Sequence, residues 1–144
     1  MLPVLRRLVE LDARRRALVV WGFGWILLSK AALAAPGSSI RKRQLWLSRL
    51  SAHLPAPPLH TREEAAWAIT VAARRVPTAR CLEWSLALRG LLAQSGIECE
   101  LRIGVAAAGP GAISAHAWIE SGGQSWSWGE TAGYNVLRPR PAGP

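Results

Sequence analysis

Two side chains in this 144-residue chain combine reactive chemistry with a setting that could activate it, Cys81 and His116. Residues 78–92 (TARCLEWSLALRGLL) read as a helix that is apolar nearly all round, the pattern of a helix central to a core. Cys81 falls in its first turn, where unpaired amides and the positive end of the helix dipole favour a thiolate. His116 lies in Ala115-His116-Ala117-Trp118-Ile119-Glu120, after which Gly122-Gly123 turns the chain into Gln124-Ser125-Trp126-Ser127-Trp128, a β-hairpin pattern. His116, Trp118 and Glu120 share one face of the first strand, so an aromatic ring adjoins the imidazole. A lone strand histidine is more often structural, but a cysteine at a helix start upstream points to a Cys–His nucleophile pair. In such a pair the imidazole takes the thiol proton, and a third group on its other nitrogen holds it in place.

The only aspartate is Asp12, far upstream, which leaves Glu130, Glu120 and Asn135 for the third role. Hairpin register separates the two glutamates. A three-residue loop, Gly122-Gly123-Gln124, pairs Ser121 with Ser125 and hence His116 with Glu130. A two-residue Gly-Gly loop sets His116 opposite Gly129 and turns Glu130 to the other face. Glu120 is roughly 13 Å from His116 by strand rise and is a poorer orienter. Glu130 is favoured. Trp118 and Trp84 are the candidates to line a bound substrate. Residues 98–105 alternate as a half-buried strand with Cys99 on its apolar face, so Cys99 is read as a core residue. Two cysteines are too few for a disulfide framework or a zinc cage, so no metal site is expected and a reduced compartment is the default.

The elements that must position this pair begin in a basic first half. The chain carries 18 Lys+Arg against 9 Asp+Glu, a net charge of +9. Residues 1–80 hold 14 and 4 of these (+10), residues 81–144 hold 4 and 5 (−1). Residues 17–29 form an apolar run after Arg14-Arg15-Arg16, with Ala32-Leu33-Ala34 beyond, a superficial copy of a secretory signal. The acidic residues upstream and Lys30 spoil the copy, and the run is shorter than the roughly 20 residues of a membrane span. A buried or surface-lying helix is expected, with membrane contact the less favoured alternative. Ser38 or Ser39 caps a basic helix at 40–52 whose Arg41, Lys42, Arg43 and Arg49 form a candidate docking surface for an acidic partner. Thr61-Arg62-Glu63-Glu64 reads as a capping box for a helix over 62–75. No zinc-finger spacing or Gly-rich aromatic strand is present, and nucleic acid is not an expected partner.

The blocks Cys81-Leu82, Ser85-Leu86-Ala87-Leu88, Leu91-Leu92, Gly96-Ile97, Ile103-Gly104-Val105, His116-Ala117-Trp118-Ile119-Glu120 and Gly129-Glu130 resemble, in order, the B2 leader peptidases of lasso-peptide biosynthesis. These are transglutaminase-like cysteine peptidases, similar to the C-terminal domain of the microcin J25 processing protein. The specific match covers roughly residues 78–138. The resemblance implies an α+β, papain- or transglutaminase-like fold, N-terminal helices packed with a small antiparallel sheet. It implies a basic helical segment (1–60) and a peptidase core (61–144) in one compact unit. Cys81 would be the nucleophile and His116 the general base and acid. Glu130 would stand where the family has Asp, and Glu83-Trp84 where a basic residue is expected, altering the pocket wall. The implied activity is cytoplasmic removal of the leader from a lasso precursor peptide, with no cofactor and with the leader-binding B1 protein and a lasso cyclase as partners. Two other functions fit the same residues: acyl transfer on the Cys–His site, and a non-catalytic basic adaptor or membrane-docking protein.

Overall fold

A computed structural model describes residues 6, 7, 9–37, 39–129 and 131–137. From residue 13 onward four helices precede a four-stranded sheet: α1 Ala13–Ala34, α2 Ile40–His53, α3 Arg62–Ala73, α4 Cys81–Gln94, β1 Glu100–Ala107, β2 Ile113–Ser121, β3 Gln124–Trp126 and β4 Asn135–Val136. The sheet is antiparallel in the order β3-β2-β1-β4. This is the α+β architecture expected from the sequence.

α1 is longer than the apolar run because Asp12 caps it, its carboxylate accepting from the Arg15 amide at 2.8 Å and drawing the three arginines into the first turns. It ends before Pro36, which disfavours helical geometry in the residue ahead of it. By length and composition α1 could cross a membrane, with a mean hydropathy of 1.7 over its most apolar window. One face is nevertheless committed to the protein: Leu18, Trp25 and Ile26 are fully buried, and the helix packs on α3 and α4. Ser39 caps α2, and Thr61 caps α3 through the Glu64 amide at 3.2 Å. The reciprocal half of the expected capping box does not form. The Glu64 carboxylate turns instead to a two-pronged ion pair with Arg14 of α1 and accepts from the His60 amide, because a guanidinium fork is a stronger partner than a neutral amide.

The core is one cluster drawn from all four helices and the sheet. It includes Trp25, Ile26, Leu47, Ile69, Trp84, Leu88, Leu92 and Ile119. Its tightest point is between α1 and α4, where the Trp25 ring lies directly on Gly90; a Cβ at 90 would come within 2.3 Å of the indole. The indole Nε1 donates to Gln94 at 2.9 Å, and Gln94 donates in turn to the Pro55 carbonyl. α3 is tied to the sheet through Arg62, whose Nε donates to Ser121 Oγ at 2.8 Å while Ser121 donates to the Glu98 carbonyl.

Gly90→Ala is therefore expected to destabilise the fold by about 1–3 kcal/mol or more, since neither the ring nor the helix axis can withdraw from a close-packed contact; an unchanged denaturant midpoint would contradict this packing. The Arg14 fork holds the Glu64 carboxyl down at about 2. A depressed carboxylate contributes stability that is complete above its ordinary range near 4.5 and is lost as pH falls through 2. The difference in melting temperature between the wild type and Glu64→Gln should be largest at neutral pH and shrink to nothing near pH 2.

Candidate active site

α4 begins at Cys81 itself, so the cysteine holds the first helical position that its sequence context suggested. Arg80 is the cap residue, and its amide donates back to the Glu83 carboxylate at 3.1 Å. Glu83 thus closes the helix start, a local reason for an acid at that position. The preceding loop is strained. Thr78, a β-branched residue, sits at φ +65°, and Lys30 of α1 grips the turn by donating to Thr78 Oγ1 at 2.9 Å and to the Pro77 carbonyl at 3.4 Å. α1 therefore fixes both the body of α4 and the loop that delivers Cys81. The Cys81 side chain is half-buried and free. Cys99 is also free, but its thiol donates to the Arg89 carbonyl at 3.9 Å and burial pushes its pKa up, Arg89 and Arg62 opposing the shift. It is the core cysteine that the strand pattern predicts.

Antiparallel pairing sorts the sheet residues into two faces. Ile119 and its partner Leu101 face the helical core, together with Cys99 and Trp126. His116, paired with Gly104, and Trp118, paired with Arg102, project from the other face. His116 is 9% exposed. Its ring stacks beside Trp118 (centroids 6.1 Å apart, 25° between planes) and meets Tyr134 (5.2 Å, 37°), whose hydroxyl shares a 3.1 Å hydrogen bond with Ser114. Nε2 hydrogen-bonds Ser127 Oγ at 2.7 Å. Among the described residues nothing hydrogen-bonds Nδ1, and no hydrogen bond joins Cys81 to His116. Burial lowers the His116 pKa, which favours the neutral ring.

The hairpin settles the register differently from the three-residue loop. Ser121 pairs with Gln124 and Ile119 with Trp126, so the loop is Gly122-Gly123 alone, both residues at positive φ. This is the two-residue turn whose twist suits flanking strands and which glycine supplies without strain. His116 then stands opposite Gly129, where a Cβ would lie 3.7 Å from its Cε1. The three-residue loop that would pair His116 with Glu130 is thus not the one that forms; Glu130 itself lies outside the described residues. Glu120 is bound to Arg102 (3.0 Å), which also holds Glu100 (2.9 Å), and does not reach His116. Asn135 pairs with Val105 and so belongs to the face opposite His116. Ser127 and Tyr134, which do touch the imidazole, were not singled out by sequence. The Gly-Gly turn was the available signal, because the shorter register brings Ser127 beside Trp118 on the histidine face.

The two tryptophans proposed to line a substrate are both buried. Trp84 is 2% exposed, a core residue whose Nε1 donates to Thr70 at 3.1 Å; Trp118 is 4% exposed, its ring laid over Gly104. Both are too large and apolar to leave in water when packing partners are at hand. Trp46 on α2, at 51%, is the exposed one. Of the basic residues on α2, Arg41, Lys42 and Arg49 are exposed, whereas Arg43 is half-buried and donates to the Ala35 carbonyl. Lys42, Arg43 and Trp46 line a groove of about 420 Å³ against Ala31 and Ala32 of α1. A second concavity, at the hairpin end, is lined by Glu98, Glu120 and the Gly-Gly turn and includes neither Cys81 nor His116. No group of three or more His, Cys, Asp and Glu among the described residues could hold a metal ion.

Residues 13–138 match the family model of the Transglutaminase-like superfamily. No curated protein and no solved structure matches the chain.

The two thiols should separate chemically. Iodoacetamide near neutral pH is expected to modify Cys81 well before Cys99, with Cys99 catching up only at alkaline pH because its thiolate is disfavoured by burial. Peptide mapping after timed quenching measures this, and equal rates at pH 7 would show that Cys81 is an inert helix residue.

Proposed function

The chain belongs to the transglutaminase-like superfamily, and from that premise we propose that it is a cysteine peptidase that removes the leader from a ribosomally made lasso-peptide precursor. Transglutaminase-like domains are typically cysteine peptidases or acyltransferases, and both activities begin with the same thioester. The observation that supports the reading best is the position of Cys81, the first residue of a buried helix packed against β2, the strand that carries His116. The ordered blocks shared with the B2 peptidases supply the substrate class.

In the proposed reaction the Cys81 thiol gives its proton to His116, and the thiolate adds to the carbonyl carbon at the leader–core junction. The resulting oxyanion is met by the free Cys81 amide at the start of α4. Collapse breaks the C–N bond, the amine leaving with the proton held by His116, and the leader remains as a thioester. Water then attacks with His116 as base, releasing the leader carboxylate and regenerating the thiol. Catalytic hydrogen bonds of Cys–His pairs commonly form only in the substrate complex, and the proposed reaction requires Cys81 and His116 to meet there. The exposed Arg41, Lys42 and Arg49 and the groove beside Trp46 are suited to an acidic partner, here the leader or the B1 protein that carries it, with the cyclase taking the core peptide afterwards in the cytoplasm. An amine in place of water in the second step would give acyl transfer.

Incubation of the purified chain with a lasso precursor peptide, with and without B1 and the cyclase, should give free leader and free core by mass spectrometry. Cys81→Ala and His116→Ala should each lower cleavage by about a thousandfold or more with the circular dichroism spectrum unchanged. Full cleavage by Cys81→Ala overturns the peptidase reading, and a ligated or cross-linked mass identifies acyl transfer instead.

A further inference from the structure

We propose that Ser127 is the residue that orients the catalytic imidazole, its hydroxyl accepting the Nε2 proton of His116 and so leaving the Nδ1 lone pair to receive the thiol proton. The assignment rests on the reading of His116 as the general base. It is drawn from contacts that no carboxylate among the described residues makes: the 2.7 Å Ser127–His116 hydrogen bond and the absence of any partner on Nδ1 among those residues.

Ser127 reaches the ring because of the two-residue turn. With Ile119 opposite Trp126, the next residue along stands beside Trp118, on the histidine face and diagonal to His116. Gly129, at φ +114°, a backbone conformation that other residues rarely adopt, then carries the chain past the edge of the imidazole. Trp118 and Tyr134 confine the ring on its flanks, and the Tyr134 hydroxyl is itself held by Ser114. Two ring neighbours and one hydrogen bond leave the imidazole a single well-supported orientation. A neutral hydroxyl fixes the tautomer without adding charge. Tyr134 is the only titratable side chain in contact with the ring among the described residues, and Gly104, the partner on β1, carries none. Farther along the same face Arg102 is neutralised by Glu100 and Glu120. Burial thus acts on His116 with no carboxylate among the described residues opposing it, and the lowered pKa follows. A base held this way works as neutral imidazole drawing a proton from a thiol, and protonation should silence it only below its ordinary range near 6.5.

The test is the pH profile of precursor cleavage for Ser127→Ala, Ser127→Thr and Ser127→Asp, with Glu130→Gln, Cys81→Ala and His116→Ala alongside. Ser127→Ala should lower kcat by about tenfold or more, the worth of one well-formed hydrogen bond, with KM little changed. Ser127→Thr, which keeps the hydroxyl, should restore much of the rate. Ser127→Asp should move the acid limb of kcat/KM to higher pH, because a carboxylate stabilises imidazolium. Nitrogen NMR shifts of His116 give a readout apart from activity: the Nε2–H tautomer should dominate in the wild type and be diluted in Ser127→Ala. If Cys81→Ala and His116→Ala are inactive while Ser127→Ala retains full rate and the same tautomer, Ser127 is not the orienter and the base assignment survives. Cleavage by His116→Ala at the wild-type rate instead removes the base, and the role of Ser127 with it.

Discussion

Everything that could act in this protein hangs on an indole lying against a glycine. Trp25 of α1 rests on the bare backbone of Gly90, in the middle of α4, and its Nε1 is fixed by Gln94 one turn farther on. Gln94 reaches on to the Pro55 carbonyl, in the segment between α2 and α3, so one buried polar chain locks three parts of the molecule together. A buried indole that lacked this acceptor would leave its N–H unsatisfied at a cost of about 1–3 kcal/mol. Because α4 is rigid, fixing it at Gly90 and Gln94 also fixes where its first residue, Cys81, emerges, nine positions and about 13 Å away. Lys30, five residues farther along α1, completes the clamp at the strained Thr78 turn.

The sheet divides its labour between faces. Leu101, Ile119 and Trp126 seal the helical core, and the opposite face holds His116 in a small aromatic and hydroxyl shell of Trp118, Tyr134, Ser114 and Ser127. Close approach is again obtained from glycine. A Cβ on Gly104 would fall within 3.0 Å of both the Trp118 ring and Tyr134, so this side of the sheet can be covered only while that position stays bare. The two-residue Gly122-Gly123 turn has the larger effect, since it sets which residues of the returning chain stand beside the imidazole.

The basic half of the chain is not an appendage. α1 contributes buried residues to the common core, while its outward side carries Val20 and Leu27, both more than half exposed, and its C-terminal end lines the groove shared with Lys42, Arg43 and Trp46 of α2. The +10 charge of residues 1–80 is thus borne by elements that also hold α4 in place. Any partner that grips this surface would touch the helix on which the position of Cys81 depends.

The sequence by itself determined the elements and their kinds. The 3.6-residue and two-residue periodicities, Ser39 and Thr61 as caps, and the Pro36 and Gly-Gly breaks are local signals, and local signals survive in a string of letters. It also determined that Cys81 would open a buried helix and that Cys99 would be a core residue, since both follow from pattern alone. Tertiary structure decided the remainder, because the remainder consists of choices between partners distant in the chain. Glu64 left its own capping box for Arg14, fifty residues away, once α1 and α3 were packed together. Trp84 and Trp118 went inside, where large apolar rings gain most from leaving water. A single residue of hairpin register, which costs little locally but flips every side chain to the other face, set Ser127 beside His116.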